Sequence, residues 1–146
     1  MKTLRFLLTA LVLGAALAAS ATTARAESLH AVLLTASPEK GPTDPRLASW
    51  EVTLKRVLRF NSYTYQGSDT GTINAGSRES LMIGQGHELF VEAGSSPLSV
   101  RIRWTAAGRT FMSTGLVLRP GIPAVLGGPS TGDAPGEVYA VILVVR

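Results

Sequence analysis

Short apolar runs separated by glycine, proline and small polar residues fill the chain from residue 28 onward. Ser28 to Ala36 reads as a first strand, with Leu29, Val32, Leu33 and Leu34 in a run that suits extended backbone. Ser37 to Pro45 holds three prolines and a glycine and must be a loop. Asp44 then stands where an N-cap would, with Pro45 at the first helical position, where a missing amide hydrogen costs nothing. Leu47, Trp50, Leu54, Val57 and Leu58 follow at the spacing of one helical face. Lys55, Arg56 and Arg59 come where cations favour the end of the helix dipole. A strand alternative puts Trp50, Val52, Leu54, Leu58 and Phe60 on one parity. Arg56 interrupts it, and one helix over about residues 45–57 is the expectation.

The remainder is β-like. Phe60 to Gly67 alternates with aromatics on both faces, and shorter strands are expected at Thr70 to Asn74, Glu79 to Ile83 and His87 to Glu92. Leu98, Val100, Ile102 and Trp104 alternate with Ser99, Arg101, Arg103 and Thr105, a half-buried strand with one apolar and one basic face. Ala107-Gly108 joins it to Thr110–Leu118 as a hairpin. Pro120-Gly121 turns into Ile122–Leu126, which Gly127-Gly128-Pro129 ends, and Gly132 to Gly136 is a further loop. Val138 to Val145 is almost wholly apolar and rich in β-branched residues, as expected for a strand covered on both faces.

These elements make a mainly β chain. The expectation is a single-domain antiparallel β-sandwich or small barrel of about eight strands, with one α-helix near the N-terminus of the mature domain. An outer-membrane barrel needs strands of about ten residues and girdles of aromatics. Several strands here are too short for that, and the chain has only two Trp, three Tyr and four Phe.

Charge then changes the picture. The chain has 146 residues and a formal net charge of +4, but Lys2, Arg5 and Arg25 fall within residues 1–26, where no acidic residue stands. Lys2 and Arg5 form a positive start, Leu7 to Ala19 an apolar stretch, and Ala24-Arg25-Ala26 a small-residue cleavage site: a signal peptide over 1–26, with an exported domain over 27–146. The apolar stretch spans about 20 Å as a helix, against about 30 Å for a bilayer core. No membrane-spanning segment remains after cleavage. The exported domain is nearly neutral and has no cysteine. It must hold together by packing alone, in a compartment that permits disulfides.

Candidate chemistry is sparse. His30 and His87 would need Glu79, Glu88 or Glu92 to converge on a metal, and no ligand spacing suggests it, so no metal and no cofactor are implied. No Gly-x-Ser-x-Gly elbow or Ser-x-x-Lys is present. Asp69-Thr70-Gly71 matches the catalytic tripeptide of aspartic proteases, where two such carboxylates share a proton across a dimer axis. Gly67-Ser68 replaces the two apolar residues that precede that Asp, and Gly-Ser-Asp-Thr-Gly reads as turn chemistry. Gly84-Gln85-Gly86 lies between strands and is a turn, not a phosphate cradle. Arg101, Arg103 and Arg109 form a basic stripe that, with Lys55, Arg56 and Arg59, could meet an anionic partner. A near-neutral exported domain is not a nucleic-acid binder.

The segment from Thr114 to Gly128 resembles a stretch near the end of secretins, the outer-membrane channels of bacterial secretion and pilus systems. Thr114, Val117, Gly121, Val125, Leu126, Gly127 and Gly128 match its pattern of Thr, alternating apolar residues, a turn and Val-Leu-Gly-Gly, while Pro120 replaces the acidic turn residue. The physical content is a hairpin with a tight Pro-Gly turn and a glycine pair that permits close approach. The chain is too short to be such a channel itself. A first strand, Asp44-Pro45-Arg46-Leu47, Leu54-Lys55, Phe60-Asn61-Ser62-Tyr63 and the Gly-Gly ending resemble an uncharacterised family of small exported β-domains of Gram-negative bacteria. These readings imply a non-enzymatic periplasmic or secreted domain that binds another envelope protein, in a secretin-associated assembly in the finer form of the expectation, through Tyr63, Tyr65, Arg101, Arg103 and Trp104 or by edge-strand pairing. A small homodimeric aspartic peptidase using Asp69 and a carbohydrate- or ligand-binding sandwich with exposed Trp104 and tyrosines are the alternatives.

Overall fold

The computed structural model describes residues 26–96 and 98–146. The segment read as a signal peptide therefore lies outside the described residues, save Ala26. Among the described residues eight strands form two antiparallel four-stranded sheets, with no closed barrel. The strands are β1 (Glu27–Ser37), β2 (Ser62–Ile73), β3 (Arg78–Gly84), β4 (His87–Ala93), β5 (Ser99–Ala106), β6 (Arg109–Val117), β7 (Ala124–Ser130) and β8 (Val138–Val145). One sheet has the order β2-β1-β8-β7 and the other β3-β4-β5-β6. A helical segment between β1 and β2 packs on the far face of the first sheet, which is thus the middle of three layers.

The middle position explains the apolar runs. Leu29, Ala31, Leu33, Val141, Leu143 and Val145 face the outer sheet, against Leu81, Ile83, Leu89, Val91, Ile102 and Trp104. Their neighbours of opposite parity, Val32, Leu34, Ala36, Ala140, Ile142 and Val144, line the other face together with Tyr63 of β2 and pack against Leu47 and Leu54. Each large side chain so buried stabilises the fold by about 1.5–3 kcal/mol. Val138–Val145 is covered on both faces, as its sequence requires.

The helical segment differs from the single helix expected over 45–57. Pro45–Trp50 is a 3-10 helix and α1 (Glu51–Leu58) follows it. The Asp44 carboxylate accepts from the Arg46 amide at 3.0 Å, and bonds to Arg46 hold its carboxyl down at about 2. The tighter first turn shifts the phase of the apolar face. Leu54 is buried while Val57 is 51% exposed. Arg59, in a left-handed conformation at φ 57°, ends α1.

Three further elements depart from expectation. Phe60–Gly67 and Thr70–Asn74 merge into the one strand β2, which carries an extra residue, Gln66, opposite Leu33 and Leu34. Gly127, Gly128 and Pro129 do not end β7 but lie within it. The Pro120-Gly121 turn forms, with Gly121 at φ 77° and the Ile122 amide bonded to the Arg119 carbonyl at 3.1 Å. It joins strands of different sheets, so β6 and β7 are not the expected hairpin. The turns at Gln85-Gly86 and Ala107-Gly108 are the two-residue connections expected, with positive φ at both central positions.

Candidate functional site

The alternation along β5 sorts the site candidates. Val100, Ile102 and Trp104 point into the core and Arg101 and Arg103 into solvent. Pairing places Arg78, Glu92, Arg101 and Gly115 in one row across the outer sheet, and Ser80, Phe90, Arg103 and Ser113 in the next. The Arg103 guanidinium lies 4.8 Å from the Phe90 ring centroid. Glu92 pairs with Arg78 at 3.7 Å, and Ser80 donates to Glu88. Among the described residues no carboxylate stands within ion-pair distance of Arg101 or Arg103. A groove of about 570 Å³ runs over these side chains.

The other predicted basic residues do not join this face. Arg109 pairs with Ala106, one parity away from the arginine row. Lys55, Arg56 and Arg59 belong to the helical layer, with the middle sheet between them and Arg101. The six cations cannot meet one flat partner.

The aromatic candidates divide the same way. Tyr63 is fully buried, its hydroxyl accepting from the Phe60 amide at 3.2 Å and donating to the Phe60 carbonyl at 3.1 Å. Tyr65 is half-buried under the Arg46 guanidinium, 4.1 Å away, on the helical side of the molecule. Trp104 is fully buried between the sheets. The exposure that a carbohydrate platform demands of Trp104 and Tyr63 is therefore absent. The strand parity that made Arg101 and Arg103 surface residues already sent Trp104 inward.

What Trp104 does is structural. Its Nε1–H donates to His87 Nδ1 at 2.9 Å, so the neutral imidazole carries its proton on Nε2. The His87 ring lies 4.4 Å from that of Tyr139, and Phe111 meets the indole edge-on at 6.2 Å. Burial pushes the His87 imidazole below its ordinary value. Gly128 lies beneath the indole, where a Cβ would come 2.5 Å from Trp104 Cζ3 and closer to Cη2. The glycine pair of the secretin-like segment thus permits close approach at Gly128, whereas Gly127 is exposed. Thr114 is half-buried in the inward row of β6, opposite Ile102. The sequence signal for His87 was its parity with Leu89 and Val91.

His30 lies elsewhere. Its Nδ1 is 2.8 Å from Thr70 Oγ1, and burial and Arg146 hold its imidazole below the ordinary value. Among the described residues no three His, Asp or Glu side chains converge on a metal position.

Asp69 sits inside β2, not in a turn. One carboxylate oxygen accepts from the Thr70 amide at 2.8 Å and the other from the Met82 amide of β3 at 3.0 Å. The two sheets are therefore clipped together along this side. Gly67 and Gly84 make the approach possible: a Cβ on Gly67 would overlap the Ile83 carbonyl oxygen and lie 3.0 Å from Gly84 Cα.

Among the described residues no helix is long and apolar enough to cross a membrane. No protein-family model, curated protein or solved structure matches the chain.

Proposed function

We propose that the chain is a non-enzymatic β-domain, exported to the periplasm or beyond, that binds another cell-envelope protein through the exposed face of the outer sheet. The observation that supports this reading is the Arg101–Arg103 pair. Both guanidiniums are exposed on a rigid central strand, neither has a carboxylate partner among the described residues, and Phe90 gives the patch an apolar floor. Arginine beside an aromatic ring suits a carboxylate-bearing protein surface, since the guanidinium bonds carboxylates in pairs and keeps its stacking contact. Association with a secretion channel is the finer form of the proposal, supported by the resemblance over residues 114–128.

The test is capture from an envelope extract on immobilised protein, with bound proteins identified by mass spectrometry. Loss of one acidic envelope protein in Arg101→Ala/Arg103→Ala, at unchanged thermal stability, is the expected result. Identical capture by both forms would remove this face from consideration.

A further inference from the structure

Four strands are sheet edges: β2 and β7 in the middle sheet, β3 and β6 in the outer one. Unpaired edges recruit foreign strands unless something blunts them. β2 and β3 blunt each other, through the Asp69 clip and the approach at Gly67. β7 carries Pro129, two glycines and a register shift between Gly127 and Ser130. β6 differs. Its bulge at Phe111 disrupts only the start, and from Met112 to Val117 it has no proline and no charge.

The edge groups of β6 can be assigned. The Leu118 amide donates to the Leu98 carbonyl at 2.7 Å. Bonded and non-bonded pairs alternate in an antiparallel ladder. Leu116–Val100, Thr114–Ile102 and Met112–Trp104 are then the bonded pairs, and the N–H and C=O groups of Ser113, Gly115 and Val117 point away from β5. Those three residues are exposed, Val117 to 78%, and the side chains of Ser113 and Val117 share the face of Arg101 and Arg103.

We propose that β6 accepts an extended acidic-ended peptide segment of the partner protein, pairing with Ser113, Gly115 and Val117 and making the outer sheet five-stranded. The charge pattern chooses the occupant. Arg109 and Arg119 bracket the edge, and Arg101 and Arg103 lie one strand inward. A second copy paired symmetrically about Thr114 would, with the bulge at Phe111 counted, set Arg109 of each copy opposite Leu118 and next to Arg119 of the other, like charges crowded at both ends. A strand with carboxylates at its ends pairs with the same two arginines. This inference rests on the proposed binding role and specifies its geometry.

The probe is a synthetic ten-residue peptide, Glu-Val-Thr-Val-Thr-Val-Thr-Val-Thr-Glu, long enough to reach from Arg109 to Arg119 across the bulge, added to the ¹⁵N-labelled protein. Amide exchange at Ser113, Gly115 and Val117 should slow by at least about tenfold at saturation, with Met112, Thr114 and Leu116 unchanged. The same core with terminal lysines should leave exchange unaltered. Gly115→Pro removes an outward N–H without touching a ladder bond and should abolish the effect. Gly115→Ala, whose Cβ comes no nearer than 4.0 Å to the Val100 carbonyl oxygen, should retain it. No slowing on β6, equal slowing with the lysine peptide, or slowing that depends on protein concentration without peptide would each overturn the proposal. In the capture assay, loss in Arg101→Ala/Arg103→Ala but retention in Gly115→Pro overturns the edge and leaves the face. The reverse pattern overturns the face and supports the edge.

Discussion

Placing a methyl group on Gly128 tests the packing of the sandwich where the Trp104 indole leaves no room for a side chain. The added Cβ lies 2.5 Å from Trp104 Cζ3, closer to Cη2, and 2.9 Å from the Tyr139 carbonyl oxygen. Carbon atoms rest at about 3.5–4.0 Å, so the indole or the β7 backbone must move by an ångström or more. The backbone is held by ladder pairs to β8 on either side, at Gly127 and Ser130, and the indole by its bond to His87 and its contact with Phe111. Overpacking of this kind costs about 1–3 kcal/mol, and losing the Trp104–His87 bond about 1 kcal/mol more. Gly128→Ala should therefore destabilise the domain by about 2–4 kcal/mol. At roughly 4 °C per kcal/mol for a domain of this size, the midpoint falls by about 8–16 °C.

Thermal and urea unfolding measure the loss, and a double-mutant cycle locates it. Trp104→Phe removes the ring atoms that the methyl group strikes. In that background Gly128→Ala should cost less than about 1 kcal/mol, leaving a coupling of at least about 1 kcal/mol between the two sites. A Gly128→Ala loss below about 0.5 kcal/mol, or equal losses in both backgrounds, would refute the account of Gly128 as a seat for the indole.

Three other outcomes are expected. Asp69→Ala should lower stability by about 1–2 kcal/mol by freeing the Met82 amide, measured by urea unfolding. An unchanged midpoint, with loss of a pepstatin-sensitive activity in Asp69→Asn, would instead revive the peptidase reading. Burial depresses the His87 pKa below its unfolded value of 6.5, so its contribution is complete above that value and is lost as pH falls through the folded pKa. His87 should contribute at most about 1.4 kcal/mol per unit to the fall in unfolding free energy from about pH 8 to pH 5, His30 adding a term of the same sign, and His87→Gln should remove the first and leave the second. Tyr63→Phe strands the Phe60 amide and carbonyl beneath the helical layer and should cost about 1–2 kcal/mol; an unperturbed melting curve would show that water replaces the hydroxyl.

The strands were legible because parity is local. Val100, Ile102 and Trp104 against Arg101 and Arg103 required nothing beyond a period of two, and the structure keeps every one of those assignments. Asp69 was illegible for the opposite reason. Its partner, the Met82 amide, lies 13 positions away on another sheet, and no spacing rule connects them. Gly-Ser-Asp-Thr-Gly carries the composition of a turn, yet β1 on one side and the clip to β3 on the other hold it extended. Tertiary pairing overrode the local preference.

The order of the layers bears on function. A strand as apolar as Val138–Val145 must be covered on both faces, and the only helix expected, over about 45–57, had to cover one of them. The half-buried strand from Leu98 to Trp104 has a solvated face, so it belongs to the layer on the other side. Lys55, Arg56 and Arg59 are separated from Arg101 and Arg103 by the middle sheet, and the joint surface expected of them does not form. Two layer spacings of about 10 Å each lie between them, well beyond the screening length of about 8 Å at physiological salt, so the two basic groups act as separate fields. A partner held by Arg101 and Arg103 should consequently be indifferent to substitutions on α1, and the edge of β6 is the part of the fold that can extend its grip.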